Sequence, residues 1–118
     1  MTETTRRRLL AGAALLPFAG AARAQQAQAW PTKPIRVVLP GPAGGIIDVG
    51  MRTISEALAA DLGQQIVIDP RPGGNGIVAG QIVTGAPRDG YTLEATVSAH
   101  YGLPFLMKAP FDVVEDFT

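Results

Sequence analysis

The feature that most constrains the fold is an alternation of short apolar runs with helical patterns, joined by connections rich in glycine and proline. Runs of β-branched and apolar residues at 35–39, 66–68 and 91–97 predict three strands. Between them, apolar spacings of three and four predict a helix over 47–62, and a shorter helix is predicted over 77–84. This order, with its short connections, predicts an α/β fold built on a βαβαβ parallel-sheet unit.

Details of these elements follow from the same patterns. The buried face of the first helix is expected to consist of Ile47, Met51, Ile54, Leu58 and Leu62. Gly63 is expected to end that helix, and Asn75 is expected to cap the second helix. The segment 98–108 is ambiguous, and 111–117 is either a loop or a single turn.

The first 24 residues are typical of a secretory signal peptide. Basic residues at 6–8 precede an apolar run of about 14 residues, which ends in the small–x–small pattern Ala22-Arg23-Ala24. The adjacent arginines favour the twin-arginine export route, with the general route left open. A membrane anchor is the alternative, but a spanning helix needs roughly 20 apolar residues. We therefore expect cleavage after Ala24, a mature chain of residues 25–118, a periplasmic location and no stable membrane insertion.

The composition of the expected mature chain excludes several classes of protein. Removing residues 1–24 takes away four arginines and one glutamate, which leaves six basic and nine acidic residues and a net charge of −3. Such a chain offers no basic patch for nucleic acid. It has no cysteine for disulfides and a single histidine, His100. We therefore expect no multi-histidine metal site and no cofactor.

The segment 40–48 carries the most functional information, because it follows a predicted strand and opens a predicted helix. Unpaired N–H groups at a helix N-terminus attract an anion, and glycines let the backbone approach it. This predicts a main-chain cradle for a carboxylate or a phosphate. A plain strand–helix turn is an equally good interpretation, since no nucleotide-binding signature is present. The candidate ligand-binding residues are Gly41, Ala43, Gly44, Gly45, Ile46, Asp48 and Ser98.

The polar side chains in and after this segment have alternative roles. Asp48 either accepts hydrogen bonds from a ligand or orders the amides of the loop, and we favour ordering because a carboxylate repels an anion. Ser98 either donates to a ligand or caps a turn. Ser98 and His100 together are a third option, a nucleophile–base pair, but neither a third partner nor an oxyanion hole is evident. We therefore expect no catalytic residues and no enzymatic activity.

Five motifs taken together resemble the Bug-type periplasmic receptors, the substrate-binding components of tripartite tricarboxylate transporters. The motifs are Trp-Pro-Thr-Lys-Pro-Ile-Arg-Val-Val at 30–38, Gly-Gly-Ile-Ile-Asp at 44–48, Arg-Pro-Gly-Gly at 71–74, Ala-Pro-Arg-Asp-Gly-Tyr-Thr-Leu at 86–93 and Pro-Phe-Asp with Asp-Phe at 110–117. Each motif is weak alone, whereas five in the family's order are a strong signal.

The resemblance implies a lobe of the periplasmic-binding-protein type II-like fold, which closes with a second lobe on a small carboxylated solute. It implies that the loop 41–48 grips a carboxylate, with a contribution from Ser98. It also implies, as partners, the membrane subunits of a tripartite tricarboxylate transporter. The family often has an aromatic residue at position 41 and hydroxyl residues at 46 and 47, so Gly41, Ile46 and Ile47 indicate either a more apolar ligand or weak binding.

The length of the chain is a second departure from the family. Members continue beyond Thr118 through a second lobe, so we interpret residues 25–118 as a partial N-terminal lobe, with the second lobe absent and binding impaired. Two alternatives stay open. One is an exported fragment that binds no ligand, and the less favoured one is an enzyme acting at the glycine-rich turn.

Overall fold

The structure is a computed structural model that describes residues 29–117. The predicted signal peptide and its cleavage site after Ala24 lie outside the described residues. The strands are β1 Ile35–Leu39, β2 Ile66–Pro70 and β3 Thr92–Glu94, and the helices are α1 Ile46–Leu62, α2 Ile77–Thr84 and α3 Leu103–Leu106. Short 3-10 turns lie at Gly74–Gly76, Ser98–Gly102 and Glu115–Phe117. None of the helices in this part of the chain is long and apolar enough to cross a membrane.

The strands form one parallel sheet in the order β2-β1-β3. The register places Val37 of β1 beside Ile68 of β2 and Leu93 of β3. Each crossover carries a helix, as parallel neighbours require. The α/β class and the βαβαβ unit predicted from the sequence are therefore confirmed.

One face of the sheet packs against α1. The side chains of Ile35, Val37 and Leu39 are buried there, and the partly buried residues around them include Ile47, Met51, Leu62, Ile66 and Ile68. Fully burying an aliphatic side chain of this size contributes roughly 1.5–3 kcal/mol, so these contacts stabilise the packing of α1 on the sheet. Gly63 ends α1 in the left-handed conformation with a φ of 67°, as predicted.

The predicted buried face of α1 is only partly correct. Ile54 and Leu58 are 48% and 37% exposed, whereas Ser55 is half-buried. The helix turns the line of Ile47, Met51 and Ser55 toward the sheet, because residues four apart lie above one another on a helix. The apolar side chains next to that line therefore face away from β1.

The other face of the sheet packs against α2 and the C-terminal segment. Val38 and Ala79 are fully buried on this side, and Leu103 and Val113 are nearly so. The ring of Phe111 lies against Gly80 of α2 so closely that a Cβ there would come within 2.3 Å of its Cζ. This second core fastens the segment after β3 to the sheet.

Two predicted details are wrong for local reasons. Asn75 does not cap α2, since it has a φ of 53° inside the preceding 3-10 turn, and the N-cap is Gly76 with no side-chain hydrogen bond. The third strand is shorter than the predicted 91–97. The Ala95 N–H still donates to the carbonyl of Val38 at 3.1 Å, but the chain then leaves the sheet.

The residues before β1 are attached to the start of β3 through Tyr91. Its hydroxyl accepts a hydrogen bond from the Thr32 N–H at 2.8 Å, and the ring of Trp30 packs against its ring at a centroid distance of 5.9 Å. Lys33 pairs with Asp89 at 3.1 Å. These contacts secure the entry to the central strand.

Candidate functional site

The loop 40–45 joins β1 to α1 in a tight turn. The N–H of Gly45 donates to the carbonyl of Pro42 at 3.0 Å, and Gly44 has a φ of 79°, which favours glycine. A Cβ at Gly45 would meet the same carbonyl oxygen at 3.0 Å, so both glycines suit the turn. Gly41 has more room, since a Cβ there would have its nearest neighbouring atom at 4.0 Å.

Asp48, in the first turn of α1, orders this loop. Its Oδ2 accepts hydrogen bonds from the Gly44 N–H and from Nε of Arg52, each at 2.9 Å. The side chain is 4% exposed, and its Oδ1 has no hydrogen-bond partner in the described part of the chain. The Arg52 side chain, and then the Gly44 N–H, lower the pKa of Asp48 from its ordinary value. The carboxylate therefore has the ordering role that the sequence analysis favoured.

The start of α1 leaves main-chain donors without partners. Among residues 29–117, the N–H groups of Ile46, Ile47 and Asp48 have no acceptor, and the first helical bond runs from Val49 to Gly45 at 2.9 Å. Adjacent N–H groups of this kind, reinforced by the helix dipole, attract an anion. This is the donor arrangement that the predicted cradle requires.

The side chains around these donors are apolar. Ile46 is 89% exposed, and Ala43 is exposed at the same turn. Ile47 instead packs into the core on the α1 face. Of the two isoleucines, Ile46 is therefore the one that can touch a ligand held by the N–H groups.

A second strand–helix junction lies beside the first. The Arg71 N–H donates to the carbonyl of Leu39 at 2.7 Å, and Gly76 sits close to Pro40, with only 3.4 Å between a Cβ at Gly76 and the Pro40 Cβ. The start of α2 thus lies at the same edge of the sheet as the start of α1. From the sequence, we used this segment only as a family motif at 71–74 and did not assign it to the site. The sequence signal for this second junction is the repeated order of strand, glycine-rich loop and helix. Because the carboxyl ends of parallel strands lie at one edge of the sheet, the two loops must be neighbours.

Ser98 lies at this edge but is not at the end of a strand. It begins a 3-10 turn four residues after β3 ends and is exposed, and the N-cap of that turn is Val97, which gives no side-chain cap hydrogen bond. The structure brings Gly41, Ala43, Gly44, Gly45, Ile46 and Asp48 together in one loop and helix start. Ser98 is placed on a neighbouring connection, since β3 pairs with β1.

The arrangement gives no support to hydrolytic chemistry. His100 is 6% exposed and faces Glu94 in the interior, whereas Ser98 is exposed, so the two do not form a nucleophile–base pair. No group of three or more metal-binding side chains is found within residues 29–117. A groove lined by Val83, Arg88 and Phe117, among others, lies at the opposite edge of the sheet from loop 40–45.

Comparison with known proteins gives one family. The family described as the tripartite tricarboxylate transporter family receptor matches residues 50–118. A UPF0065 protein of Bordetella bronchiseptica is 47% identical over 95 residues, which cover 79% of this chain and 28% of that protein. Protein BugT of Bordetella pertussis is 34% identical over 101 residues, covering 83% of this chain and 31% of that protein.

Solved structures give the same result. The R. palustris protein Rpa4515 with adipate has a TM-score of 0.66 and 32% identity, covering 71% of this chain and 29% of that one. A periplasmic binding protein BugD has a TM-score of 0.53 and 31% identity, covering 55% of this chain and 22% of that one. The chain therefore spans less than a third of the length of these proteins. The family match begins at Gly50. The alignment with the Bordetella bronchiseptica protein covers 79% of this chain, which is too long to leave out the loop 41–48.

Proposed function

Because this chain belongs to the tripartite tricarboxylate transporter receptor family, we propose that it forms one wall of a binding site for a small carboxylate. The solute would be bound in the periplasm and delivered to the membrane subunits of a transporter. The single observation that carries the proposal is the set of partnerless N–H groups at the start of α1. They lie on a loop whose shape is fixed by the protein's own carboxylate, Asp48.

The charge near the cradle favours a carboxylate over a phosphate. Asp48 is buried next to the donors, and its negative charge is shared with one Arg52 guanidinium. A second negative charge on the group held by the cradle, as on a phosphate, would raise the repulsion from Asp48 without gaining a new cation, whereas the second carboxylate of a dicarboxylate lies at the far end of the ligand. A carboxylate carries one charge and two acceptor oxygens, which three adjacent N–H groups can satisfy.

The apolar surroundings favour a ligand whose body is apolar. Between Pro40 and Ile47 the chain has no polar side chain, so only main chain can hydrogen-bond the ligand from this loop. Burying the exposed Ile46 side chain against a methylene chain contributes roughly 0.8 kcal/mol for each CH₂ buried. The R. palustris neighbour with adipate, a dicarboxylate with a methylene body, supports this class of ligand.

A pair of substitutions at Ile46 tests the cradle directly. Ile46 is the first helical residue, where proline is well tolerated, and Gly45 before it is already extended with a ψ of 170°. Ile46→Pro therefore removes one donor N–H and keeps the helix, whereas Ile46→Ala keeps the N–H and removes the side chain. Gly50→Ala, one turn further along α1 with no atom near the added Cβ, is the control.

The readout is the melting temperature with adipate, with a hydroxylated tricarboxylate such as citrate, with inorganic phosphate and with an uncharged diamide. We expect adipate to raise the melting temperature of the unchanged chain most, by ligand linkage. Ile46→Pro should abolish this shift and Ile46→Ala should reduce it, while Gly50→Ala should leave it intact. A shift that survives Ile46→Pro would contradict the cradle, and no shift with any compound would favour the fragment without a ligand.

Export is the remaining part of the proposal. The basic, apolar and small–x–small order of residues 1–24 supports cleavage after Ala24, with residues 25–118 forming the mature lobe. N-terminal sequencing of the exported protein should begin at Gln25. Retention of Met1 in that sample would contradict cleavage.

A further inference from the structure

Two ionisable side chains face each other inside the core on the α2 face. Nδ1 of His100 lies 3.4 Å from Oε1 of Glu94, and the two side chains are 4% and 3% exposed. Within residues 29–117, neither Glu94 carboxylate oxygen nor Nδ1 of His100 has a hydrogen-bond partner, so the 3.4 Å separation is a close contact and not a formed hydrogen bond. Such buried polar atoms are costly unless they bond to each other.

Aromatic rings enclose the pair and keep water away from it. The ring of Phe111 stacks on the His100 ring at 6.1 Å, and Phe117 and Tyr101 meet it edge-on at 5.1 and 5.9 Å. Phe111 reaches this position because Gly80 of α2 has no side chain. A group in such surroundings can carry net charge only at a high cost in free energy.

The charged groups on the neighbouring elements do not offer the pair a counter-ion. The terminal segment that supplies Phe111 and Phe117 carries three acidic residues, of which Asp112 and Asp116 accept hydrogen bonds from local main-chain N–H groups. On β1, Arg36 is bound to Asp69. The helix α2 has no titratable residue, and Tyr101 is the other titratable residue on the turn of His100. In the described part of the chain, the ion-pair contact of Glu94 is with His100 alone.

The proton count of the pair therefore decides its net charge. With one proton the pair is neutral, and a small approach of the two atoms from 3.4 Å would let them form a single hydrogen bond. With none it is a buried anion, and with two it is a buried cation. Burial raises the pKa of Glu94, although the nearby Thr96 hydroxyl opposes this in part, and burial lowers the pKa of His100. The raised pKa of Glu94 and the lowered pKa of His100 both favour a protonated carboxyl group beside a neutral imidazole.

We propose that Glu94 and His100 share one proton and so latch the turn Ser98–Gly102 onto the end of β3, and that gain or loss of that proton releases the turn. His100 lies in the middle of the turn and Glu94 is the last residue of the strand, so the pair joins the two directly. The turn begins with Ser98, a candidate ligand contact. The consequence that the latch controls carboxylate binding rests on the proposed function, whereas the latch itself does not.

The latch predicts a maximum of stability at intermediate pH. The folded pKa of Glu94 is raised, so its contribution is complete below the ordinary value of 4.5 and is lost as the pH rises through the folded pKa. The folded pKa of His100 is lowered, so its contribution is complete above 6.5 and is lost as the pH falls toward the folded pKa. Stability should therefore fall on both the acid and the alkaline side of the range where the pair holds one proton.

Nuclear magnetic resonance gives the most direct test, because His100 is the only histidine in the full chain. Its imidazole signal should report a neutral ring at pH 6.5, where a solvated histidine is half protonated. A midpoint at 6.5 or above overturns the latch, whether the cause is an exposed ring, a strong ion pair or an unfolded chain.

Melting temperatures of the full chain against pH supply the second test. Glu94→Gln keeps the shape and an N–H donor for Nδ1 but cannot ionise, so it should remove the alkaline loss of stability and keep the acid loss. Glu94→Leu should lower the melting temperature at every pH at which it is measured. Glu56→Gln makes the same change of charge on the exposed surface of α1 and should leave the pH profile unchanged. A Glu94→Gln profile that matches the unchanged chain, or an equal effect of Glu56→Gln, overturns the latch.

Whether the latch controls carboxylate binding is tested separately from the latch itself. If the latch controls the site, the adipate-induced shift in melting temperature should be largest at the pH of maximum stability, and Glu94→Gln should retain it at higher pH. A shift that does not vary with pH overturns the link but not the latch. A latch seen by the histidine signal, with no adipate shift at any pH, contradicts the proposed function instead.

Discussion

Gly50 and Gly80 both lie inside helices, and replacing each with alanine should change the stability in opposite directions. At Gly50 of α1 an added Cβ meets no heavy atom within 4 Å, so Gly50→Ala only gains the helix propensity of alanine, about 1 kcal/mol. At Gly80 of α2 the Cβ would lie 2.3 Å from Cζ of Phe111, against an ordinary contact of about 3.5–4.0 Å. The ring would have to retreat by more than about 1 Å.

The ring has little space to retreat into. It stacks on His100 at 6.1 Å and meets Phe117 at 5.6 Å. Overpacking of this kind costs about 1–3 kcal/mol, and we expect the upper part of that range because the overlap is large. After subtracting about 1 kcal/mol of helix propensity, Gly80→Ala should lose about 1–2 kcal/mol of unfolding free energy.

Urea unfolding followed by circular dichroism measures both changes. With a slope of about 1 kcal/mol/M for a small domain, the midpoint should fall by about 1–2 M for Gly80→Ala and rise by about 1 M for Gly50→Ala. A Phe111→Leu background removes the ring atoms from the contact, so most of the cost of Gly80→Ala should disappear there. Equal effects of the two alanine substitutions, or a cost that persists without the ring, would refute this account of the α2 core.

Two further predictions concern the edges of the fold. Tyr91→Phe removes the hydroxyl that accepts the Thr32 N–H at 2.8 Å, so we expect a loss of about 0.5–1.5 kcal/mol and faster hydrogen exchange at the Thr32 amide; unchanged exchange would argue against the contact. The N–H groups of Glu115 and then Val114 lower the pKa of Asp112, so its stabilising effect is complete above the ordinary value of 3.8 and is lost as the pH falls below it. Asp112→Asn should therefore flatten the acid side of the melting profile below about pH 4, and an unaltered profile there would contradict this role.

The sequence was sufficient for the elements that depend on local signals. The strand 35–39 follows from its β-branched residues, and the helix with Gly63 at its end follows from apolar periodicity and a left-handed glycine. The structure contains both elements and the left-handed glycine. Periodicity alone did not show which side of α1 meets the sheet, so Ile54 and Leu58 were wrongly expected to be buried. The side chain that meets the sheet depends on where β2 lies beneath the helix, which is a long-range property.

The candidate site was predictable to the same extent. The hydrogen bond from the Gly44 N–H to Asp48 joins residues four apart, and both belong to the motif at 44–48. A local motif was therefore enough to predict it. The contact of Glu94 with His100 is different, because the chain first had to leave the sheet after β3 and fold back beneath Phe111. All four residues at 73–76 adopt a positive φ, so Asn75 lies inside the turn and does not cap α2, and its residue type alone did not indicate this.

The central position of β1 in the sheet bears on how fast the unit can fold. Of the three strands in residues 29–117, β1 is synthesised first and both others pair with it, so Ile35 cannot pair with Ile66 until β2 is made, and Arg36 cannot pair with Thr92 until β3 is made. Each pairing must close a long loop of chain, and the entropy lost in closing it comes before the inter-strand hydrogen bonds that offset it. Parallel sheets therefore form slowly. Until Ile66–Pro70 arrives, β1 has two unpaired edges, and only the early formation of α1 can cover its apolar face. The nascent chain is thus most prone to aggregation in the interval between completing α1 and completing β2.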